Sequence, residues 1–162
     1  MSRSDGPDSP YRRILFCTDF SQNADFAFDF AVDAAARRPG AVLFLLHVIP
    51  EPEAQFWKTY LYELDEVDAK ARADVDARIA AAYLPRVPAG LDLHVHVRTG
   101  KEHAEILDFA RRNAIDLIVV GRQGRSALGE ILFGGVADKV ARKAECPVLI
   151  VPMRAGSQAR KR

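Results

Sequence analysis

Apolar runs alternate with segments of helical spacing along most of the chain. Five short runs are predicted to be strands, at residues 13–18, 41–49, 91–98, 116–120 and 147–151. The second run, AVLFLLHVI, is apolar on both faces, which is typical of a central parallel strand. The third, LDLHVHVR, alternates strictly and fits a strand at a sheet edge. Strands that alternate with helices predict an α/β protein, with a doubly wound, five-stranded parallel sheet and helices on both faces.

The first helix has the clearest pattern. It is predicted to begin at Ser21, whose hydroxyl suits a helix N-cap. The residues expected on its buried face are Ala24, Ala27, Phe28, Ala31 and Ala35. On another face an acidic residue recurs every four positions (Asp25, Asp29 and Asp33), and we expect this face to be solvated and partly paired with Arg37.

The remaining helices are less sharply defined. Residues 56–83 keep helical spacing without Gly or Pro, and the pattern does not decide between one helix and two. Gly100 is predicted to open the next helix, with inward residues His103, Ile106, Leu107 and Ala110. The last helix is predicted to bury Val136, Val140 and Ala141.

Composition and charge narrow the class of protein. The chain has 162 residues, 49% hydrophobic and 28% charged, which fits one globular domain. We expect a folded domain at residues 11–154 between disordered tails at 1–10 and 155–162. The net charge of +1 argues against nucleic acid as a partner. No membrane span or signal peptide is evident, so a cytoplasmic location is expected, with Cys17 and Cys146 as unpaired, buried thiols.

A glycine-rich stretch carries the strongest functional signal. In DLIVVGRQGRSALGEILFGG (Asp116 to Gly135) an apolar run stops at Gly121, Gly124 follows, and Gly134 and Gly135 precede a helical pattern. Backbone N–H groups without a Cβ, next to the positive end of a helix dipole, form a cradle for anions such as phosphate. The spacing Gly-x2-Gly-x9-Gly matches neither of the two best-known phosphate loops.

Other chemistry has weaker support. His94 and His96 share one face of the third strand, but no third metal ligand is evident, so we expect no metal site. Near the glycine loop only Asp19 and Glu130 offer carboxylates, and no nucleophile–base set is recognisable. No catalytic residues are therefore assigned, and at most slow hydrolysis of bound ATP is expected.

Four segments together resemble a known family. ILFCTDFS, LFLLHVIP, DLIVVGRQG and ILFGGVADKVARKAECPVLIVP follow one another in the order found in single-domain universal stress proteins, and the resemblance covers Tyr11 to Arg154. It implies the strand order 3-2-1-4-5. It also implies a homodimer formed through the fifth strand, by Val148, Leu149, Ile150 and Val151.

The resemblance further implies an ATP site, with any Mg²⁺ held through the phosphates. Asp19 and the backbone of Val48 would hold the adenosine part, and the glycines at 121, 124 and 134 would meet the ribose and phosphates. The complete set of expected ligand residues is Thr18, Asp19, Val48, Val120, Gly121, Gly124, Arg125, Gly134, Gly135 and Val136. Asp19 has a second interpretation, as a residue that simply starts the first helix.

One position departs from the family's motif. ATP-binding members have Ser or Thr after the third glycine, and this chain has Gly135, so one hydroxyl donor is lost and Arg125 and Ser126 compensate in part. Two functions stay open. The first is an ATP-binding stress-response protein that acts as a dimeric switch on an unidentified protein partner. The second is a dimeric interaction module that needs no nucleotide, which Gly135 favours.

Overall fold

In the computed structural model, which describes residues 10–50, 64–122 and 135–152, five parallel strands form one sheet. Its order, β3-β2-β1-β4-β5, confirms the expected 3-2-1-4-5 arrangement. The strands are β1 (Arg13–Thr18), β2 (Val42–Pro50), β3 (Asp92–Gly100), β4 (Leu117–Gly121) and β5 (Val148–Val151). Most of both predicted tails, the start of the long helical segment, and Gly124, Arg125 and Gly134 lie outside the described residues.

Helices cover both faces of the sheet. They are α1 (Gln22–Ala36), α2 (Leu64–Ala82), α3 (Glu102–Arg112) and α4 (Val136–Lys143), with a 3₁₀ turn at Leu84–Arg86. Residues of α1 and α2 share one buried cluster, and residues of α3 and α4 share the other. None of the described helices is both long and apolar enough to cross a membrane.

Successive side chains of the central strands point to opposite faces of the sheet, so these strands contribute to both buried clusters. In β1, Ile14 and Phe16 belong to the first cluster, and Leu15 and Cys17 belong to the second. Aromatic rings fill each side, because such rings bury large apolar areas and prefer tilted packing. On the first face the Phe16 ring lies 5.1 Å from that of Phe28, centroid to centroid. On the second, Phe44 lies 5.8 Å from Phe109.

The start of α1 matches its sequence pattern closely. The Ser21 hydroxyl accepts the N–H of Ala24 at 3.2 Å, and the five residues expected to be buried are buried. Arg37 pairs with Asp33 at 2.8 Å, as expected. The other two aspartates of the stripe bind Arg86, which comes from the distant 3₁₀ turn.

Other details differ from the expectation. Gly100 ends β3 and does not open α3, whose N-cap is Lys101. Ala141 is exposed. Val140 is the fully buried residue of α4, and the next residue along a helix points well away from it. In α3 the largest buried side chain is Phe109, which the pattern did not single out. Cys17 is buried as expected and Cys146 is half-buried, and neither forms a disulfide.

Candidate functional site

A cleft opens at the carboxyl edge of the sheet, beside the ends of β1, β2 and β4. The register pairs Thr18 with His47 and Cys17 with Val120, so β1 and β4 end level, and β2 continues three residues further to Pro50. The cleft has a cavity volume of about 70 Å³. Its lining residues are Cys17, Thr18, Asp19, Ala24, Leu46, Val48, Glu102, Ile106, Val120, Gly121, Val136 and Ala137. Ligands of open parallel sheets bind at this edge, beside the point where the strand order reverses.

Six of the ten expected ligand residues line this cleft: Thr18, Asp19, Val48, Val120, Gly121 and Val136. Gly135 directly precedes Val136 and is the N-cap of α4. The placement of Gly124, Arg125 and Gly134 lies outside the described residues. Residues from four separate elements and the loop after β1 therefore meet where the sequence predicted a ligand.

Asp19 lines the cleft, and its carboxylate also forms a hydrogen bond within the protein. Its Oδ1 accepts the backbone N–H of Ser21 at 2.9 Å, which fixes the turn that leads into α1. Its second oxygen has no hydrogen-bond partner within the described part of the chain. Both interpretations of this residue therefore agree with the geometry, since one oxygen shapes the helix start and the other is available to a ligand.

The Thr18 side chain is hydrogen-bonded on the face of the sheet that is covered by α1 and α2. Its buried Oγ1 accepts the N–H of Phe20 at 2.9 Å and is hydrogen-bonded to the Tyr83 hydroxyl at 2.6 Å. Its carbonyl oxygen accepts from His47 Nδ1 at 2.8 Å. Burial raises the pKa of Tyr83, so this hydroxyl stays protonated at neutral pH. Thr18 therefore positions the end of β1 and offers no free hydroxyl to a ligand.

Phe20, the residue after Asp19, lies in the turn between β1 and α1. Phe20 has a positive φ of 61°, an uncommon conformation for a residue with a side chain. Its ring lies 4.7 Å from that of His47, and the Arg78 guanidinium sits 4.1 Å above it. The strain is held in place by these contacts, which aim the chain from β1 towards α1.

The start of α4 brings backbone N–H groups to the cleft. Gly135 has φ −64° and ψ 173°, and no side chain caps the helix. The first two helical residues, Val136 and Ala137, both line the cleft. The first N–H groups of a helix lack partners inside the helix, and the dipole is positive there, so this end favours an anion.

The charged groups of the cleft are acidic. Asp19 and Glu102 are the carboxylates among the described lining residues, and none of those residues is Lys, Arg or His. Burial raises the pKa of the Cys17 thiol far above neutral pH, so this group is neither an anion nor a nucleophile here. Across the described residues no cluster of three or more metal-ligating side chains is present.

Sequence reasoning missed half of the cleft wall. Leu46 and Ile106 are apolar residues that looked like ordinary core, and Glu102 looked like an ordinary first-turn carboxylate. The position of Glu102 depends on β3 lying beside β2, which local patterns do not encode. Only the strand order that the family resemblance implied could have placed the start of α3 beside the cleft.

A second, larger cavity of about 440 Å³ lies along α3, from His103 to Arg111, and reaches the carboxyl-terminal end of α4. Its wall includes Arg111, Lys143 and Cys146 but none of the expected ligand residues. It extends to Glu145 and Cys146, which lie shortly before β5. Because ligands of this architecture bind at the carboxyl edge, we assign the functional site to the smaller cleft.

Comparison with known proteins identifies the class of protein to which this fold and cleft belong. The sequence profile of the universal stress protein family matches residues 10–152, so the chain belongs to the universal stress protein family. Universal stress protein MJ0531 of Methanocaldococcus jannaschii is 42% identical to it, over 87% of this chain and 82% of that protein. A universal stress protein of Thermus aquaticus is 32% identical, over 87% and 98%.

Solved structures agree with this assignment. The structure of protein MJ0577 matches with a TM-score of 0.74 at 28% identity, over 90% of this chain and 98% of that one. A universal stress protein crystallised in complex with cAMP matches with a TM-score of 0.57 at 26% identity, over 88% and 97%.

Proposed function

We propose that this chain binds an adenine nucleotide, ATP foremost, in the cleft at the carboxyl edge of the sheet. In the proposal, nucleotide occupancy switches a cytoplasmic, dimeric stress-response protein between partners. The observation that carries it is the meeting of six expected ligand residues, from β1, β2, β4, α4 and the loop after β1, in one cleft. The complex of a universal stress protein with cAMP, itself an adenine nucleotide, supports the ligand class.

Different parts of the cleft suit the base and the phosphates of a nucleotide. Leu46, Val48 and Ile106 provide apolar surface for a base. The N–H groups at the start of α4 suit phosphate oxygens. Since the cavity is only about 70 Å³, most of the nucleotide would lie in its open mouth. The contributions proposed for Gly124, Arg125 and Gly134 rest on the sequence alone, and Mg²⁺ would be held through the phosphates.

Calorimetry with a matched pair of variants tests the proposal. Ala137 lines the cleft, and Ala141, on the same helix, is exposed. Ala137→Leu should fill the cleft and weaken ATP at least tenfold, while Ala141→Leu should bind as the unmutated chain does. ATP, ADP, AMP and cAMP should be titrated in parallel, with one site per chain expected. No measurable heat from any of them at millimolar concentration would refute the proposal.

The second candidate function is a dimeric interaction module that works without nucleotide. Gly135 favours it, because α4 has no side-chain hydroxyl at its N-cap to donate to a phosphate. One such hydrogen bond to a charged group contributes roughly 1.5–3 kcal/mol. Partner capture that is equal with and without saturating ATP would favour this module over the switch.

We also propose that dimerisation uses the free edge of β5. The Pro147 carbonyl accepts from Ile118 of β4, and the Val151 carbonyl accepts from Arg122, the residue after β4. By strand alternation, the N–H and C=O groups of Val148 and Ile150 point away from the sheet. Leu149 is 39% exposed. An unpaired apolar edge invites another strand, and a two-fold axis lets β5 of a second copy pair with it antiparallel.

A further inference from the structure

Glu102 is a carboxylate of the cleft for which the described part of the chain shows no structural role. It is the first residue of α3, it is half-buried, and it lines the cleft. No hydrogen bond or ion pair engages its side chain within the described residues. By contrast, Glu105 and Asp108 of the same helix both bind Arg98, at 3.3 and 3.0 Å. The neighbouring acids are satisfied by protein partners, and Glu102 is left facing the cleft.

A helix start alone accounts for only part of this arrangement. A carboxylate in the first turn gains a little from the dipole, and Glu105 lies in that turn as well. Glu105, however, binds Arg98, whereas Glu102 lines the cleft together with the apolar residues Leu46, Val48 and Ile106. A half-buried carboxylate in such a cleft can accept a hydrogen bond from a ligand.

Glu102 and the start of α4 line the same small cleft. The two helices pack on the same face of the sheet, where Ile106 of α3 and Val140 of α4 share one buried cluster. Asp19 is the other lining carboxylate, and no described lining residue is a cation. Glu102 therefore disfavours a phosphate beside it and favours a neutral hydrogen-bond donor.

We propose that Glu102 is a specificity-determining residue that accepts a hydrogen bond from the nucleoside part of the ligand. This inference rests on the proposed nucleotide site and assigns its recognition element. The donor is a neutral group, because a carboxylate only accepts. Adenosine offers two such sources, the ribose hydroxyls and the exocyclic 6-amino group. Either one makes the cleft select for hydrogen-bond donors on the nucleoside and against a second anion beside Glu102.

The test titrates three nucleosides into three proteins. Adenosine is compared with 2′,3′-dideoxyadenosine, which lacks the 2′ and 3′ hydroxyls of the ribose, and with purine riboside, which lacks the 6-amino group. The proteins are the unmutated chain, Glu102→Ala, and Glu105→Ala as the control, which removes a carboxylate from the same helical turn but outside the cleft. Circular dichroism checks that all three are folded.

Glu102→Ala should weaken adenosine about tenfold, the effect of one hydrogen bond to a charged group. One of the two analogues should bind the unmutated chain about tenfold more weakly than adenosine, and Glu102→Ala should not weaken its binding further. The group that this analogue lacks is then the hydrogen-bond donor to Glu102. Glu105→Ala should change nothing. Equal adenosine affinity in the unmutated chain and Glu102→Ala overturns the inference, as does an equal loss for all three nucleosides. If no nucleoside or nucleotide binds the unmutated chain, the proposed function itself is wrong.

Discussion

Gly121 ends β4 in direct contact with the backbone of Asn23 in α1. A Cβ added at Gly121 would lie 2.6 Å from both the carbonyl carbon and the carbonyl oxygen of Asn23. The Asn23 side-chain amide also donates to the carbonyl of Arg122. The close approach leaves no room for a side chain, so this glycine holds the end of β4 against the start of α1.

Gly121→Ala should therefore destabilise the fold, because α1 must move to admit a methyl group. We expect a loss of about 1–3 kcal/mol, the usual cost of overpacking. Urea denaturation measures it. Gly135→Ser, at a position whose φ of −64° suits any residue, is the control and should lose no stability. A fully stable Gly121→Ala protein would show that the contact is looser than described.

Gly135→Ser should tighten ATP by up to about tenfold, because it restores a hydroxyl donor at the start of α4. The backbone permits it: Gly135 has φ −64° and ψ 173°, close to the −69° and 163° of Ser21, which caps α1. The serine should also stabilise α4 by a few tenths of a kcal/mol, the gap between Gly and Ser caps. Greater stability with unchanged ATP affinity would mean that the ligand does not use the hydroxyl.

Two substitutions at Asp19 separate its structural role from its ligand role. Asp19→Ala removes the acceptor for the Ser21 N–H and the free oxygen, so it should lose about 1 kcal/mol of stability and weaken adenosine and ATP by similar factors. Asp19→Asn keeps an acceptor for Ser21 and should recover the stability. Thermal unfolding and calorimetry check both effects. If Asp19→Ala lowers stability while nucleotide affinity is unchanged, Asp19 only starts α1.

Replacing His96 should stabilise the protein, most strongly in mild acid. The His96 ring packs 4.9 Å from Phe109, and its Nε2 is buried without a hydrogen-bond partner in the described structure. Burial, with His94 and Arg98 nearby, lowers the pKa of His96 below its usual 6.5. The unfolded chain then binds the proton more readily, so stability is lost as pH falls through about 6.5.

His96→Leu removes this pH dependence along with the unsatisfied nitrogen. The gain in unfolding free energy should be about 1 kcal/mol at pH 7.5 and larger at pH 5. Urea titrations at both pH values measure it, with His94→Leu as the control, because His94 is exposed and bonded to Asp92. A gain that is the same at both pH values would contradict the proposed origin.

Ile150→Lys should break the proposed dimer. The free edge of β5 is short, so apolar burial at this edge must supply most of the association energy, and a charge placed there opposes it. Light scattering at micromolar concentration should give twice the 17.9 kDa chain mass for the unmutated protein and a shift towards one chain mass for the variant. A clean monomer before mutation would show that β5 is not the dimer interface.

Local patterns correctly predicted several features that depend on neighbours in sequence. The Ser21 cap and the buried face of α1 follow from helical spacing and a hydroxyl at one position. The strand order came from family resemblance, since no local rule decides which strands pair. Within α4 the error at Ala141 arose because an eight-residue helix with one fully buried side chain defines its inward face poorly.

Contacts between residues far apart in sequence could not be predicted from local patterns. Arg86 binds Asp25 and Asp29 across 61 and 57 residues, and Thr18 meets Tyr83 across 65. Such pairs depend on how α1 and α2 dock on the sheet. Glu102 was missed in the same way, since its place in the cleft follows from β3 lying beside β2. Gly121 and Asp19 were visible because they lie at or directly after the ends of strands.

The free edge of β5 determines how two clefts would be arranged in an assembly. Antiparallel pairing of β5 with its copy turns the second sheet end for end, so the carboxyl edges of the two sheets face in opposite directions. In the proposed dimer neither chain would supply a wall for the other's cleft, and no nucleotide would be shared between them. We therefore expect the two sites to load independently, so that titration with nucleotide would follow a simple hyperbola with a Hill coefficient of about one.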